Sequence, residues 1–361
     1  MNHRILALAV LLSLAPLAGA QQGPAPKPVT AAERQAVVAR LAEQLQAKYV
    51  FPDAAKTLAT ALRAREAAGA YAAATDVGAL SNALAKDLRT LGKDGHFNVV
   101  YAPGFEPQPA GQIPTAEQVE DMRAEIASHG YGIDSIARLP GNVGYMELRG
   151  FGPAELVGDA FSAAITLLSG TDALILDLRR NGGGQPNSVA YLMSHFFAKG
   201  DERHLNDLYS RASNSTRQYW TNPAVGPRYT KPVYVLTSAR TFSGGEECAY
   251  DFQTQKRGVI VGESTGGGSN PGDMYALGSD FAAFIPDGRA INPVTKTNWE
   301  HVGVKPDIAV PAADARRTAH LAILRDLIKA SSSDEAKAEL QQVLAKVEAG
   351  KEDAPVYSGR Q

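Results

Sequence analysis

Apolar positions change their rhythm partway along the chain. From Thr30 to Leu91 they recur at helical spacing, and Leu80, Leu84, Leu88 and Leu91 fall at intervals of four, four and three, a stripe along one helix face. Thr30, with Glu33 three positions on, forms a capping box that opens the first helix. Pro52 interrupts after "KYVF", and a second helix runs through Leu58 and Leu62. The third ends at "GKDGHFNVVYAPG", where Gly92 and Gly95 suit a tight turn and "FNVVY" reads as a strand, so His96 sits on the turn. A proline-rich link follows, then a helix over Thr115–Ser128 in which Gln118 completes a box on Thr115.

After Pro140 the period shortens. "NVGYMELRGF", "DALILDLR", "PVYVLTS" and "GVIVGE" read as strands, separated by helices over Ala154–Leu168, Asn187–Ala198 and Ser243–Gln255. Strands with almost unbroken apolar runs, alternating with helices, predict an α/β fold built on a parallel sheet covered on both faces. Past Gly266 the texture is glycine-rich with short strands such as "FAAFIP", and from Ala312 it turns helical and charged. The expected organisation is a signal peptide over 1–20, a flexible lead-in over 21–29 and an N-terminal helical domain over 30–102. A linker with a helix spans 103–140, an α/β core 141–311 and a C-terminal helical tail 312–361.

The signal peptide rests on a basic Met1–Arg4, an apolar Ile5–Leu17 and the small-residue site Ala18-Gly19-Ala20. It predicts a periplasmic or secreted protein with no stable membrane anchor, because no later segment is long and apolar enough to span a bilayer. With one cysteine, Cys248, no intramolecular disulfide can form, and that thiol is expected to pack as a small buried hydrophobe. A net charge of −2 without a basic cluster argues against nucleic acid as a partner.

Three stretches could carry chemistry, each after a strand end, where open α/β sheets place ligands. "LDLRRNGGG" (Leu176–Gly184) leaves backbone N–H groups bare, and a pair of these can hold an oxyanion; a plain strand-to-helix turn is the alternative. It is neither a phosphate loop nor a dinucleotide fingerprint. "TFSGGEECAY" holds Ser243 at a helix start, where Ser243 and Glu246 fit a capping box as well as a nucleophile. Thr241 stands where G-x-S-x-G needs glycine, which disfavours an α/β-hydrolase. "TNWEHVGVKPDI" sets Glu300 beside His301; neighbours in a strand face opposite ways, so only one can face a given site. His129, His195, His204 and His320 lack metal-ligand spacing, and neither a metal nor a cofactor is expected.

At these residues the chain resembles the tail-specific, or C-terminal processing, serine peptidase superfamily, in the branch with the tricorn protease core and the interphotoreceptor retinoid-binding protein. "KYVFPDAA", "LRTLGKDGHFNVVY", "PGNVGYMELRGF", "ILDLRRNGGG", "TSARTFSGGEECAY", "VIVGESTGGG" and "NWEHVGVKPDIAV" occur in that branch's order. The resemblance implies a crotonase/ClpP-like ββα core over 141–311 and makes Ser243 the nucleophile. It implies His96 as general base and Glu300 as the acid that orients it. The oxyanion hole would combine Gly244 N–H with a glycine of the triple-glycine turn, Gly183 or, next, Gly184. Gly268 occupies the position of the lysine in Ser/Lys relatives, so that dyad is not available here, and Gly95 replaces a serine that precedes the tricorn histidine. Only about forty residues separate the His96 strand from the core, too few for the PDZ domain that captures C-terminal tails in many relatives. The expected activity is endopeptidase cleavage of short peptides or unfolded proteins through an acyl-enzyme. The alternatives on the same fold are a non-catalytic binder of hydrophobic ligands and a thioester acyl-transfer enzyme. The second is disfavoured by the lack of an evident basic pocket for a coenzyme.

Overall fold

The computed structural model describes residues 27–107 and 114–351; the signal-peptide segment and most of the lead-in lie outside the described residues. The chain divides into two compact units, each assembled from separated segments. The first takes the chain up to Val119, Asn206–Gln218 and Gly267–His301; the second takes Glu120–Leu205, Tyr219–Gly266 and the chain from Val302 on.

The first unit contains α1 (Ala31–Lys48), α2 (Pro52–Ala67) and α3 (Val77–Gly92). Their starts follow from local chemistry. Thr30 Oγ accepts from Glu33 N–H while Glu33 Oε2 accepts from Thr30 N–H at 2.8 Å, Pro52 occupies the first turn of α2, and Asp76 accepts from Ala79 N–H at 2.8 Å. Leu80, Leu84 and Leu88 are fully buried, whereas Leu91, the last of the stripe, is 43% exposed. Lys93 then adopts a left-handed φ of 56° and turns the chain away from the helix. Strand β1 (Asn98–Tyr101) pairs antiparallel with β10 (Phe281–Pro286), which pairs on its other side with β9 (Gly272–Gly278). The buried leucines of the three helices share one core with Phe97, Val99, Leu277, Phe281 and Ile285. Each such side chain contributes about 1.5–3 kcal/mol on burial, so these late strands are integral to the helical unit. A further sheet, ordered β11-β5-β6, is formed by β11 (Gly288–Ile291), β5 (His204–Ser210) and β6 (Ser215–Trp220).

The second unit is a layered α/β structure. The reciprocal Thr115–Gln118 bonds open α4 (Ala116–Ser128). Then come β2 (Ile133–Leu139), β3 (Val143–Leu148), α5 (Ala154–Leu168), β4 (Ala173–Asp177) and α6 (Pro186–Ser194). They are followed by β7 (Val233–Thr237), α7 (Gly244–Thr254), β8 (Val259–Gly262), β12 (Ile308–Ala309), α8 (Ala312–Ala330) and α9 (Asp334–Glu348). The sheet runs β12-β8-β7-β4-β3-β2, parallel throughout except for β2, which joins β3 antiparallel. Every residue of β3, β4 and β7 is buried, as the unbroken apolar runs predicted. Tyr145, Ile175, Tyr234, Leu236 and Val261 pack against Ala315, Ala319 and Ile323 of α8, while α5 and α7 contact the sheet outside that cluster. Strand β2 was not expected: it lies at the sheet edge, and its middle positions are exposed, so no apolar run marks it. Among the described residues no helix is long and apolar enough to cross a membrane, and Cys248 is a buried free thiol on α7.

Candidate active site

The residues singled out from sequence fall into two groups, one in each unit. In the second unit, the chain leaves β7, turns through Ser238–Phe242 and enters α7 at Gly244. The turn is pinned: Thr241 N–H donates to Ser238 O at 2.9 Å, Thr241 Oγ to Leu178 O at 2.8 Å, and Phe242 N–H to Asn181 O at 3.0 Å. Ser243 follows with φ 52° and ψ −121°. Ordinary capping residues take extended backbone, as Thr30, Asp76 and Ser333 do here. A non-glycine residue held at positive φ costs about 1–3 kcal/mol and needs surroundings that enforce it. Glu246, wholly buried, supplies part of that enforcement. Its Oε2 accepts Ser243 N–H at 2.9 Å, and its Oε1 accepts the Thr265 hydroxyl, which in turn takes Val304 N–H at 2.6 Å.

The triple-glycine turn lies directly against this serine. A Cβ on Gly183 would sit 2.8 Å from Ser243 Cβ and 2.9 Å from Gly244 N, and one on Gly184 would overlap the Phe151 carbonyl. Their φ values, 103° and 136°, are also glycine territory. Gly183 N–H donates to Asn181 Oδ1 at 2.8 Å. Among the described residues the Gly184 and Gly244 N–H groups have no acceptor, and Gly184 N lies 3.0 Å from the point where a Gly244 Cβ would stand. Two bare amides this close, at the N-terminus of an 11-residue helix, suit a developing negative charge.

In the first unit, His96 occupies the turn after α3, buried, with Asp94 two residues before it and wholly inaccessible. Asp94 Oδ1 accepts His96 N–H at 3.0 Å and lies 3.4 Å from His96 Nδ1, while Asp94 Oδ2 accepts from Asn270 Nδ2 at 2.9 Å. Glu300 is the third member. Its Oε2 accepts both the N–H and, at 3.0 Å, the hydroxyl of Ser269, and its Oε1 stands 3.5 Å from His301 Nδ1. Trp299 Nε1 donates to Gly268 O at 2.7 Å, and His301 N–H to Gly267 O at 2.8 Å, so the glycine run that replaces the lysine of Ser/Lys relatives braces the Glu300 segment. Burial, and next the Asp94 charge, raise the Glu300 carboxyl above its ordinary range, against the Ser269 bonds and His96, which lower it. The same burial and the Asp94 and Glu300 charges push up the Tyr49 hydroxyl.

His96, Asp94 and Glu300 each offer one atom within 4.8 Å of the others, and among the described residues they form a donor set able to hold a metal ion. Asp94 is what sequence reading missed. It stands in the quoted "GKDGH", but a turn before a strand accounts for an aspartate without further role.

Residues 142–310 match the model of peptidase family S41, and residues 30–130 match that of the N-terminal domain of Peptidase_S41 in eukaryotic IRBP. The chain is 26% identical over 190 residues to the carboxyl-terminal-processing peptidase 2 of Arabidopsis thaliana chloroplasts, covering 49% of this chain and 34% of that one. It is 31% identical over 96 residues to the tail-specific protease of Haemophilus influenzae, covering 27% of this chain and 13% of that one. It thus spans well under half the length of these curated relatives. Among solved structures, mature CPAF superposes with a TM-score of 0.55 at 13% identity, covering 88% of this chain and 98% of that one. The tricorn protease gives 0.50 at 13% identity, covering 87% and 37%. At such identities the superpositions speak for the fold alone. With both family models in register along most of its length, the chain belongs to peptidase family S41.

Proposed function

We propose that the protein is an exported serine endopeptidase that cleaves short peptides or unfolded proteins through an acyl-enzyme on Ser243. The observation that carries the reading is the Ser243 backbone, held at φ 52° at the head of α7 beside two amides without acceptors. A serine that only capped the helix would have no reason to be strained. In the proposed reaction His96 removes the Ser243 hydroxyl proton as Oγ attacks the scissile carbonyl. Gly244 and Gly184 N–H groups receive the carbonyl oxygen as it becomes an oxyanion, with Gly183 tethered to Asn181 and shaping the turn. His96 then returns the proton to the leaving amine, and water, deprotonated by the same imidazole, releases the acyl group. Glu300, the acid implied by resemblance, shares the surroundings of His96 with Asp94.

His96 belongs to the first unit and Ser243 to the second. The names of the relatives, carboxyl-terminal-processing and tail-specific peptidases, point to peptide substrates. Export rests on the N-terminal twenty residues. The test is mass spectrometry of a mixed peptide library incubated with the mature protein beside Ser243→Ala. Cleavage by the wild type alone is expected and would also give the subsite preferences. Cleavage by both refutes Ser243 as nucleophile, and silence from both moves weight to a ligand-binding protein.

A further inference from the structure

We infer that one face of the sheet β1-β10-β9 in the first unit selects the substrate residue on the leaving side of the scissile bond, with Phe284 at its centre and large apolar side chains preferred. The inference rests on the reading of His96 as the general base. It starts from the alternation of side chains along β1. Phe97 and Val99 lie in the helical core, so Asn98 and Val100 turn to the opposite face. Strand register carries that division across the sheet: Val99 stands opposite Ala283, whereas Asn98 pairs with Phe284 and Val100 with Ala282. On the other side of β10, Phe284 pairs with Met274 and Ala282 with Ala276. Directly paired residues share a face, so the second face carries Asn98, Phe284 and Met274 in one row beside Val100, Ala282 and Ala276 in the next.

That face is apolar except for Asn98, whose Oδ1 accepts from Arg89 Nη2 at 2.9 Å. Phe284 is the only position of β10 that is not buried, and its row partners Asn98 and Met274 are partly exposed with it. His96 stands two positions before Asn98, and its ring meets Phe284 face to face, with centroids 6.1 Å apart and planes 27° apart. The row therefore begins at the general base. The chemistry then fixes which part of a peptide meets it. His96 returns its proton to the leaving amine, which needs that nitrogen within about 3 Å of a ring nitrogen. The Cβ of the residue owning the amine is about 2.5 Å further on, so it stands within about 5–6 Å of the imidazole, as the Phe284 ring does. An apolar side chain there covers Phe284 and gains by the area it removes from water. An acidic one would lose hydration against Phe284, Met274 and Val100, whose side chains offer no donor.

Two measurements test this, and only one of them needs turnover. In protein labelled with ¹³C-methyl methionine, the Met274 signal is assigned by its loss in Met274→Leu. Phenylalaninamide, a free amine carrying a large apolar side chain, should shift that signal, and glycinamide should not. Phe284→Ala should weaken phenylalaninamide binding by about tenfold. A Met274 signal that ignores phenylalaninamide, or that glycinamide moves equally, overturns the inference whether or not any peptide is cleaved. In the peptide library, leaving-side Leu, Met and Phe should exceed Gly by about tenfold in kcat/KM, with Asp and Glu lowest. Phe284→Ala should lower kcat/KM for leaving-side Phe about tenfold more than for leaving-side Gly, and Phe284→Leu should keep most of the preference. Met274→Ala, at the outer end of the row, should show a smaller loss of the same kind and serves if Phe284→Ala folds poorly. If the library is cleaved with no leaving-side preference, or Phe284→Ala lowers only the melting temperature, the row is packing; the inference then fails and the peptidase reading stands. Silence of the library alongside a Met274 shift would instead sink the peptidase reading and leave a site for apolar amines.

Discussion

Replacing Ser243 by glycine separates strain from capping better than the usual alanine. At φ 52° and ψ −121° any residue with a Cβ stores about 1–3 kcal/mol, whereas glycine visits this region freely. Two terms oppose that relief. Exchanging a capping serine for glycine costs a few tenths of a kcal/mol, and the greater freedom of glycine in the unfolded chain costs up to about 1 kcal/mol. The balance makes Ser243→Gly between neutral and about 2 kcal/mol more stable than wild type. Alanine keeps the Cβ and the strain and loses whatever the hydroxyl contributes, so Ser243→Ala should be neutral to about 1 kcal/mol less stable. In a unit of this size about 1 kcal/mol moves Tm by roughly 2–4 °C, within reach of differential scanning calorimetry at fixed pH. Both variants should be inactive toward peptides and unreactive toward a fluorophosphonate probe. A glycine variant that melts several degrees below wild type, and no higher than the alanine variant, would refute the reasoning: the backbone would be unstrained and the hydroxyl a cap.

The other predictions concern the neighbouring groups. Gly184→Ala should abolish cleavage and lower stability by about 3 kcal/mol or more, because its Cβ would overlap the Phe151 carbonyl at a φ of 136°; calorimetry and the peptide assay read both. Asp251, buried on α7 with no hydrogen-bond partner for either oxygen among the described residues, has its carboxyl pushed well above its ordinary 3.8 by burial and then by Glu247. A raised acid is stabilising below its unfolded value and loses that contribution as pH rises through the folded one. Asp251→Asn should therefore be more stable than wild type by about 1 kcal/mol near pH 8 and no more stable near pH 4, as denaturant midpoints will report. Chelation by EDTA should leave cleavage unchanged, whereas added Zn²⁺ should inhibit by occupying the His96, Asp94 and Glu300 donors. That inhibition should weaken in Asp94→Asn, as a dose–response curve for each protein will report.

How much of this was legible beforehand depends on the kind of signal. Strands β3, β4, β7 and β8 and helices α1, α2, α3, α5 and α7 are readable because each carries a full apolar period or a cap box. β2, β5 and β6 carry polar, partly exposed residues, and what makes them strands is the partner across the ladder, which no local window contains. The helical segment after Thr30 was equally clear, but its core was not. Leu277, Phe281 and Ile285, nearly two hundred residues on, complete the packing of Leu80, Leu84 and Leu88, so a boundary drawn by composition separates residues that share one core.

The site shows the same limit more sharply. Motifs order residues along the chain and assign each a type, and on that basis Glu300 was the acid to expect for His96. Yet the carboxylate nearest that ring by chain distance, Asp94, sits in the same turn, where an aspartate needs no special explanation. What the local sequence does not show is where its oxygens lie: Oδ1 at 3.4 Å from Nδ1 of His96, and Oδ2 accepting from Asn270, a residue 176 positions away. A second buried acid beside the first also changes its surroundings: burial, and next the Asp94 charge, raise the Glu300 carboxyl above its ordinary range. A motif can therefore point to two members of a cluster, His96 and Glu300, and still miss the third, Asp94, which only the fold brings to them.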